Sequence, residues 1–254
     1  MPRAFTRAVS PRLAECQLTH LGRVPIDAAK ASAQHAAYEQ ALRDAGLAII
    51  RLPDLPDDPD AVFVEDTALL LGGHAVITRP GALSRQNETQ STADGLAAHF
   101  ELHRIERGHV DGGDVLRIGQ FLYVGLSSRT DQAGIDALAA ITGPLGFEVR
   151  HATLRDCLHL KTGATLAAPG LLLINPQAVD PAQFDGVEPL AVDPAEPAAA
   201  NIVRAGDRLI LAAGNPATAA KLRARGLTVV EVDVSELQKA EAGGTCMSLI
   251  DDRP

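Results

Sequence analysis

Short apolar runs recur along the chain, each broken by a few turn residues and followed by a second run. The first clear pair, AVFVEDTALLLGGHAVITRPG, spans Ala61 to Gly81 with Gly72 and Gly73 at its turn. Equivalent pairs span His109 to Thr130, turning near Gly119, and Cys157 to Pro176, turning at Pro169 and Gly170. A fourth spans Ala199 to Pro216 and turns at Gly206 and Asp207. Two strand-length runs around a Gly-containing turn predict a hairpin. Helix-like stretches follow, at Asn87 to His99, Asp131 to Thr142 and Pro216 to Arg225. In the second, Asp131 is placed to cap, and Ile135, Leu138 and Ile141 share one face. Gly226 would stop the third. Each stretch leads to another β-rich run, ELHRIER, GFEVRHA or GLTVVEVD, so the repeating unit reads β-β-α-β.

The two ends read as parts of a fifth unit. The start predicts a strand (Ala4 to Val9), a loop (Ser10 to Val24), a helix (about Ile26 to Ala45) and a strand (Leu47 to Leu52). The end predicts one strand, Thr245 to Ile250. Joining them closes a ring and removes exposed sheet edges. The expected fold is therefore α/β: one domain over residues 1–254, a five-bladed ββαβ propeller closed by the N- and C-terminal strands. A doubly wound sheet also alternates β and α. The repeated hairpins, and the lack of a GxGxxG after a strand, count against it.

Composition narrows the partners. The 254 residues are 46% hydrophobic and 22% charged, enough for a substantial core rather than disorder. A net charge of −9 argues against nucleic acid, and 3% aromatic residues with no Trp argue against base-stacking platforms. No apolar stretch is long enough for a membrane helix, and the N-terminus lacks the apolar region of a secretory signal. Three widely spaced Cys (16, 157 and 246) suggest reduced thiols in a cytoplasmic protein.

The chemistry candidates share one register in the repeat. Cys246 follows two glycines at the mouth of the last strand, as a nucleophile or as a small buried residue. Cys16 and Cys157 read as structural. His159 alternates with Leu158 and Leu160, which turns it to the face opposite them; an ordinary strand His would look the same. Glu65 and Asp66 in VFVED, and Asp111 and Asp114 in VDGGD, fall at the same place in their hairpins as His159. Turn or cap duty is their alternative. Arg85 and Arg129 follow the second strands of their hairpins, either as a clamp on a carboxylate or as solvated loop charges. In a ring these strand starts converge, which would gather a thiol, an imidazole and carboxylates into one nucleophilic site. No HxH, HExxH or CxxC pair occurs, which argues against zinc.

These residues resemble those of the dimethylarginine dimethylaminohydrolases, members of the guanidino-group-modifying superfamily with the pentein fold. The likeness spans nearly the whole chain: DAVFVED (60–66), ITRPGALSR (77–85), VDGGDVL (110–116), YVGLSSRT (123–130), LHLKTG (158–163), AANI (199–202) and TCMS (245–248). It implies a five-bladed ββαβ propeller that hydrolyses N-methylated arginine to citrulline, with no cofactor and no metal. It implies that Cys246 attacks the guanidinium carbon, that His159 protonates the departing amine and then activates water, and that Asp111 orients His159. Asp66, with Glu65 beside it, would pair with guanidinium nitrogens. Arg85 and Arg129 would hold the α-carboxylate, Asp60 would lie near the α-amino group, and Phe63 would pack on the alkyl chain. The partner is then a small guanidino amino acid, with a homodimer left open. Three positions depart from the family. Gln17 stands where the lid carries Leu, with Leu18 beside it as the replacement lid residue. Glu241 stands where an Asp precedes the nucleophile, and Gln86 where a second Arg follows Arg85. The alternatives are the same chemistry on arginine or citrulline, and a non-catalytic pentein used for binding.

Overall fold

A computed structural model describes residues 1–253. The chain opens with β1 (Arg3–Thr6), a single turn at Leu13–Glu15, α1 (Ala28–Asp44) and β2 (Ala48–Arg51). The next unit holds β3 (Ala68–Leu71), β4 (His74–Ile77), α2 (Glu88–Leu96) and β5 (Glu101–Arg104). It is followed by β6 (Val115–Ile118), β7 (Phe121–Gly125), α3 (Gln132–Thr142) and β8 (Glu148–Ala152). Then come α4 (Leu160–Gly163), β9 (Ala164–Ala168), β10 (Leu171–Ile174) and β11 (Glu188–Ala191). The last stretch carries β12 (Val203–Ala205), β13 (Arg208–Ala212), α5 (Pro216–Ala224), β14 (Thr228–Val232), α6 (Ser235–Gln238) and β15 (Leu249–Asp251).

The fifteen strands among the described residues form five three-stranded sheets with identical wiring. In each, the middle strand pairs antiparallel with one neighbour and parallel with the other. The parallel partner always returns through a crossover, as parallel pairing requires. In the first sheet the antiparallel partner of β1 is β15, from the far end of the chain, with Arg3 opposite Asp251. The sheets neighbour one another in sequence around a ring. β15 packs on β3, β6 on β9 and β9 on β12. Arg79 bridges to Val110 between the second and third sheets. A shared apolar cluster containing Ala4, Leu47, Val203 and Ile210 joins the fifth sheet to the first. The innermost strands enclose an axial cavity of about 460 Å³ lined by Leu69, Val115, Thr165, Val203 and Leu249. Among the described residues no helix is long and apolar enough to cross a membrane.

Several local expectations hold for physical reasons already visible in the sequence. Asp131 caps α3 by accepting from the Gly134 N–H. Gly226 takes φ +76°, the left-handed conformation that ends α5 cheaply only for glycine. Two expectations change. The third hairpin is followed by no full helix: Pro181–Gln183 is a single turn, and the chain returns as β11. The final strand is Leu249–Asp251 rather than Thr245 to Ile250, because Thr245–Met247 coils into a single helical turn.

Candidate active site

That turn recurs in every unit. A one-turn helix precedes the first strand of each sheet: Val64–Thr67, Gly112–Asp114, α4, Pro197–Ala200 and Thr245–Met247. Neighbouring turns pack against one another, so together they floor one end of the ring. The reactive side chains were expected on the strands themselves. They sit instead on these turns and their caps: Glu65 and Asp66 on the first, Asp111 and Asp114 on the second, His159 capping α4, Asn201 closing the fourth and Cys246 on the last.

Close approach between the turns depends on glycine. A Cβ on Gly113 would stand 2.7 Å from His159 Nδ1 and 2.9 Å from Asp66 Oδ1, so only glycine lets these side chains meet over the backbone. The Gly113 N–H also donates to Asp66 Oδ1 (3.0 Å). His159 Nε2 lies 3.0 Å from Asp111 Oδ2, and its Nδ1 lies 4.0 Å from Asp66. Asp111, fully buried, accepts from the Gly81 N–H through its other oxygen. Burial alone would keep His159 neutral. The carboxylates of Asp66, Asp114 and Asp111 outweigh it and push the imidazole up to about 9, so the ring carries a proton at neutral pH. Asp66 is held below the usual carboxylate range: burial opposes this, but His159, Arg85 and the Gly113 N–H prevail.

Cys246 is half-buried, and its Sγ accepts from the Gly243 N–H (3.3 Å). Burial and the negative charges of Glu65 and Asp66 push its thiol far up, so it is neutral near pH 7. The two other cysteines stay out of the chemistry. Cys16 belongs to the apolar core, and burial beside Asp114 and Asp156 pushes the Cys157 thiol up to about 11.

A chamber of about 30 Å³ is bordered by Gln17, Asp60, Phe63, Asp66, Arg85, Arg129, His159, Glu241 and Cys246. Most of the expected site residues therefore converge. Three do not take the expected place. Glu65 faces the axial cavity instead, where Lys161 Nζ (2.7 Å) and the Thr245 hydroxyl engage its two oxygens. It sits beside the thiol but behind it. Leu18 turns onto the apolar core while Gln17, its chain neighbour, borders the chamber. The Gln17 N–H is pinned to the Asp60 carboxylate (3.0 Å), and successive residues in an extended segment point opposite ways. Arg85 borders the chamber, yet it is not a free fork. It donates to Asp66, to both oxygens of Glu88 and to the Phe63 carbonyl, which leaves one Nη1 N–H uncommitted. Arg129 is less constrained, donating to the Thr19 hydroxyl (2.8 Å) and standing 4.0 Å from Asp111.

The roof is the loop after β1. Glu241, at φ +62°, accepts from the consecutive backbone N–H groups of Thr19, His20 and Leu21 at 2.5 to 3.0 Å. Sequence reasoning assigned no role to two residues that build the site, Asn201 and Glu88, and left Asp114 between chemistry and turn duty. Asn201 grips Thr245 through both ends of its amide and fills the space beside Gly243, fixing the nucleophile turn. Asp114 accepts from the Leu160 N–H and from the hydroxyls of Ser127 and Thr130, fixing the His159 turn. Glu88 holds Arg85. Asn201 could have been found, since it falls within three residues of the first strand of its sheet, as Asp66, Asp114 and Cys246 do in theirs.

Comparison with known proteins finds relatives over almost the whole chain. A family model described as arginine deiminase matches residues 55–204. A dimethylarginine dimethylaminohydrolase from Streptomyces coelicolor is 38% identical over 250 residues, covering 97% of this chain and 96% of that one. A structure of the Pseudomonas aeruginosa dimethylarginine dimethylaminohydrolase, a cysteine-to-serine mutant complexed with citrulline, superposes with a TM-score of 0.90. It is 34% identical and covers 98% of each chain. A histidine-to-glycine variant of a dimethylarginine dimethylaminohydrolase, as its adduct with S-methyl-L-thiocitrulline, gives 0.92 at 35% identity, covering 99% of this chain and 100% of that one.

Proposed function

This chain belongs to the dimethylarginine dimethylaminohydrolases of the arginine deiminase family, and on that premise we propose that Cys246 attacks the substrate's guanidinium carbon while His159 carries the protons. The protein is a hydrolase of carbon–nitrogen bonds in linear amidines and converts N-methylated arginine to citrulline and a methylamine. One observation carries the residue assignment: Cys246, His159 paired with Asp111, and Asp66 border the same small chamber.

The chemistry follows from the charges. An incoming guanidinium aligned on Asp66 offsets the repulsion that keeps the thiol protonated, so binding favours the thiolate. The proton of the thiol leaves to solvent. The thiolate adds to the guanidinium carbon. His159, already protonated, gives its proton to the methylated nitrogen, and dimethylamine departs. The remaining S-alkylthiouronium is cationic. Water adds to it, neutral His159 takes one proton, a second leaves to solvent, where the released amine is protonated, and the C–S bond breaks to release citrulline and a thiolate that regains its proton from solvent. Asp111 keeps the imidazole oriented throughout. Arg129 anchors the α-carboxylate, helped by the one free N–H of Arg85, and Asp60 receives the α-amino group in exchange for the Gln17 N–H. Phe63 supports the alkyl chain. Glu65 acts from behind, holding Thr245 and setting the charge around the thiol. Residues 1–254 act as one domain in this reading, since the turns that carry the site come from all five units. A cytoplasmic location belongs to the same reading, supported by three free cysteines, one of which must stay reduced to react.

The test is direct. Cys246→Ser should abolish citrulline formation with folding intact, and acid-quenched wild-type enzyme should carry the amidino adduct on Cys246 by mass spectrometry. An adduct elsewhere, or a serine variant of near wild-type rate, overturns the assignment. Gln17 at the chamber favours a second reading, in which its amide meets an unmethylated nitrogen and arginine is the preferred substrate. The ratio of kcat/KM for dimethylarginine over arginine decides between the two.

A further inference from the structure

The second sheet carries a side-chain cluster at the end away from the chamber. β4 and β5 lie side by side and parallel, with His74 opposite Glu101. His103 stands two residues beyond Glu101 and so on the same face of the sheet. His74 Nδ1 is 3.2 Å from His103 Nε2 and 3.5 Å from one Glu101 oxygen, and His103 Nε2 is 3.9 Å from the other. Among the described residues the Glu101 carboxylate has no other side-chain partner. Two imidazole nitrogens and a carboxylate oxygen thus lie within 4.8 Å of one another.

A tetrahedral zinc ion binds His nitrogen at 2.0–2.1 Å and carboxylate oxygen at 2.0–2.2 Å, which sets neighbouring donors about 3.3–3.5 Å apart. The His74–His103 separation of 3.2 Å and the 3.5 Å from His74 to one Glu101 oxygen match that spacing, and the other Glu101 oxygen, 3.9 Å from His103, leaves the carboxylate a small turn from a shared ion. Two imidazole nitrogens 3.2 Å apart share a single proton between them. An ion replaces that proton and satisfies the carboxylate at the same time. We propose that His74, Glu101 and His103 form a binding site for a divalent transition-metal ion of the zinc class, with the fourth position open to water. The side chains are partly exposed, so the ion has an entry path. No motif announces the site because its ligands come from two strands that pair across a helical crossover. It is separate from the chamber: β4 starts at His74 and reaches the active site only past its other end, where the Thr78 hydroxyl meets the Asp66 carbonyl. A bound ion would clamp β4 to β5 and stabilise the sheet that presents Asp66 and Arg85.

The chamber also holds acidic and imidazole donors, so the test removes its thiol. Zinc is titrated by calorimetry into Cys246→Ser protein, with and without His74→Ala and His103→Ala together. The parent should take up one equivalent, and at a zinc concentration about 100 times Kd its Tm should rise by about 5–10 °C. Adding both alanines should weaken binding at least ~100-fold, and Glu101→Gln alone about 10–100-fold. The same two alanines in otherwise wild-type protein should leave citrulline formation unchanged in chelator-treated buffer, which confirms an intact fold. Absence of zinc binding by the parent, or undiminished binding by the double-alanine protein, overturns the proposal.

Discussion

His159 governs the pH behaviour of the site. Its ordinary value of 6.5 is raised to about 9 in the folded protein, so the native state keeps a proton that the unfolded chain has released. Its contribution to stability is therefore complete below pH 6.5 and is lost as pH rises toward 9. Wild-type Tm should fall across that window, and His159→Asn should flatten the fall; an unchanged slope means the proton is not held there. The two arginines divide at the same scale. Arg129→Ala should raise KM about 10–100-fold with a smaller change in kcat, since a charged hydrogen bond of about 1.5–3 kcal/mol acts alike in ground and transition states. Arg85→Ala should instead lower kcat and stability together. It strips the buried carboxylates of Asp66 and Glu88 of their shared cation, a loss of about 3–5 kcal/mol when a buried pair is broken. Steady-state kinetics and thermal melts of the two variants separate these roles. The sequence offered both arginines as equals because repeat position shows where a side chain starts and not what its donors meet.

The element that does most for the site is the shortest. Each one-turn helix holds three or four residues, too few for any helical period, so the repeated apolar runs showed the hairpins and hid the turns. That Asp66, Asp111, His159 and Cys246 come together was legible, but their placement before the strands, at offsets that differ from unit to unit, was not. The missing helix of the fourth sheet had the same origin: residues 177–187 carry Pro181 and Gly186 and support only a single turn. The roof loop is held by one carboxylate on three amides. Glu241→Ala should free it, seen as faster tryptic cleavage at Arg12 and Arg23 while the protein stays folded. Cleavage at the wild-type rate would mean that Ser10, bonded to the Pro56 carbonyl, and Gln17 suffice to hold the loop.

At the scale of the molecule, ring closure rests on β1 and β15. Asp251 is buried between Arg3 and Arg253 and ties the two ends of the chain into one sheet. Asp251→Asn should lower Tm by several degrees, at about 2–4 °C per kcal/mol for a protein of this size, and guanidinium unfolding should show the same loss. That closure was readable from two incomplete units at opposite ends of the sequence. The axial cavity was not, because its walls are ordinary strand residues. The chamber on the other side of Glu65 has a further consequence. At about 30 Å³ it holds a water molecule or two, whereas small-molecule pockets run to about 300 Å³ and more. The roof therefore lies close over the reacting groups, and a whole amino acid needs it to give way. Where binding needs the roof lifted, apparent affinity scales with the lifted population, and each amide that Glu241 holds counts against it.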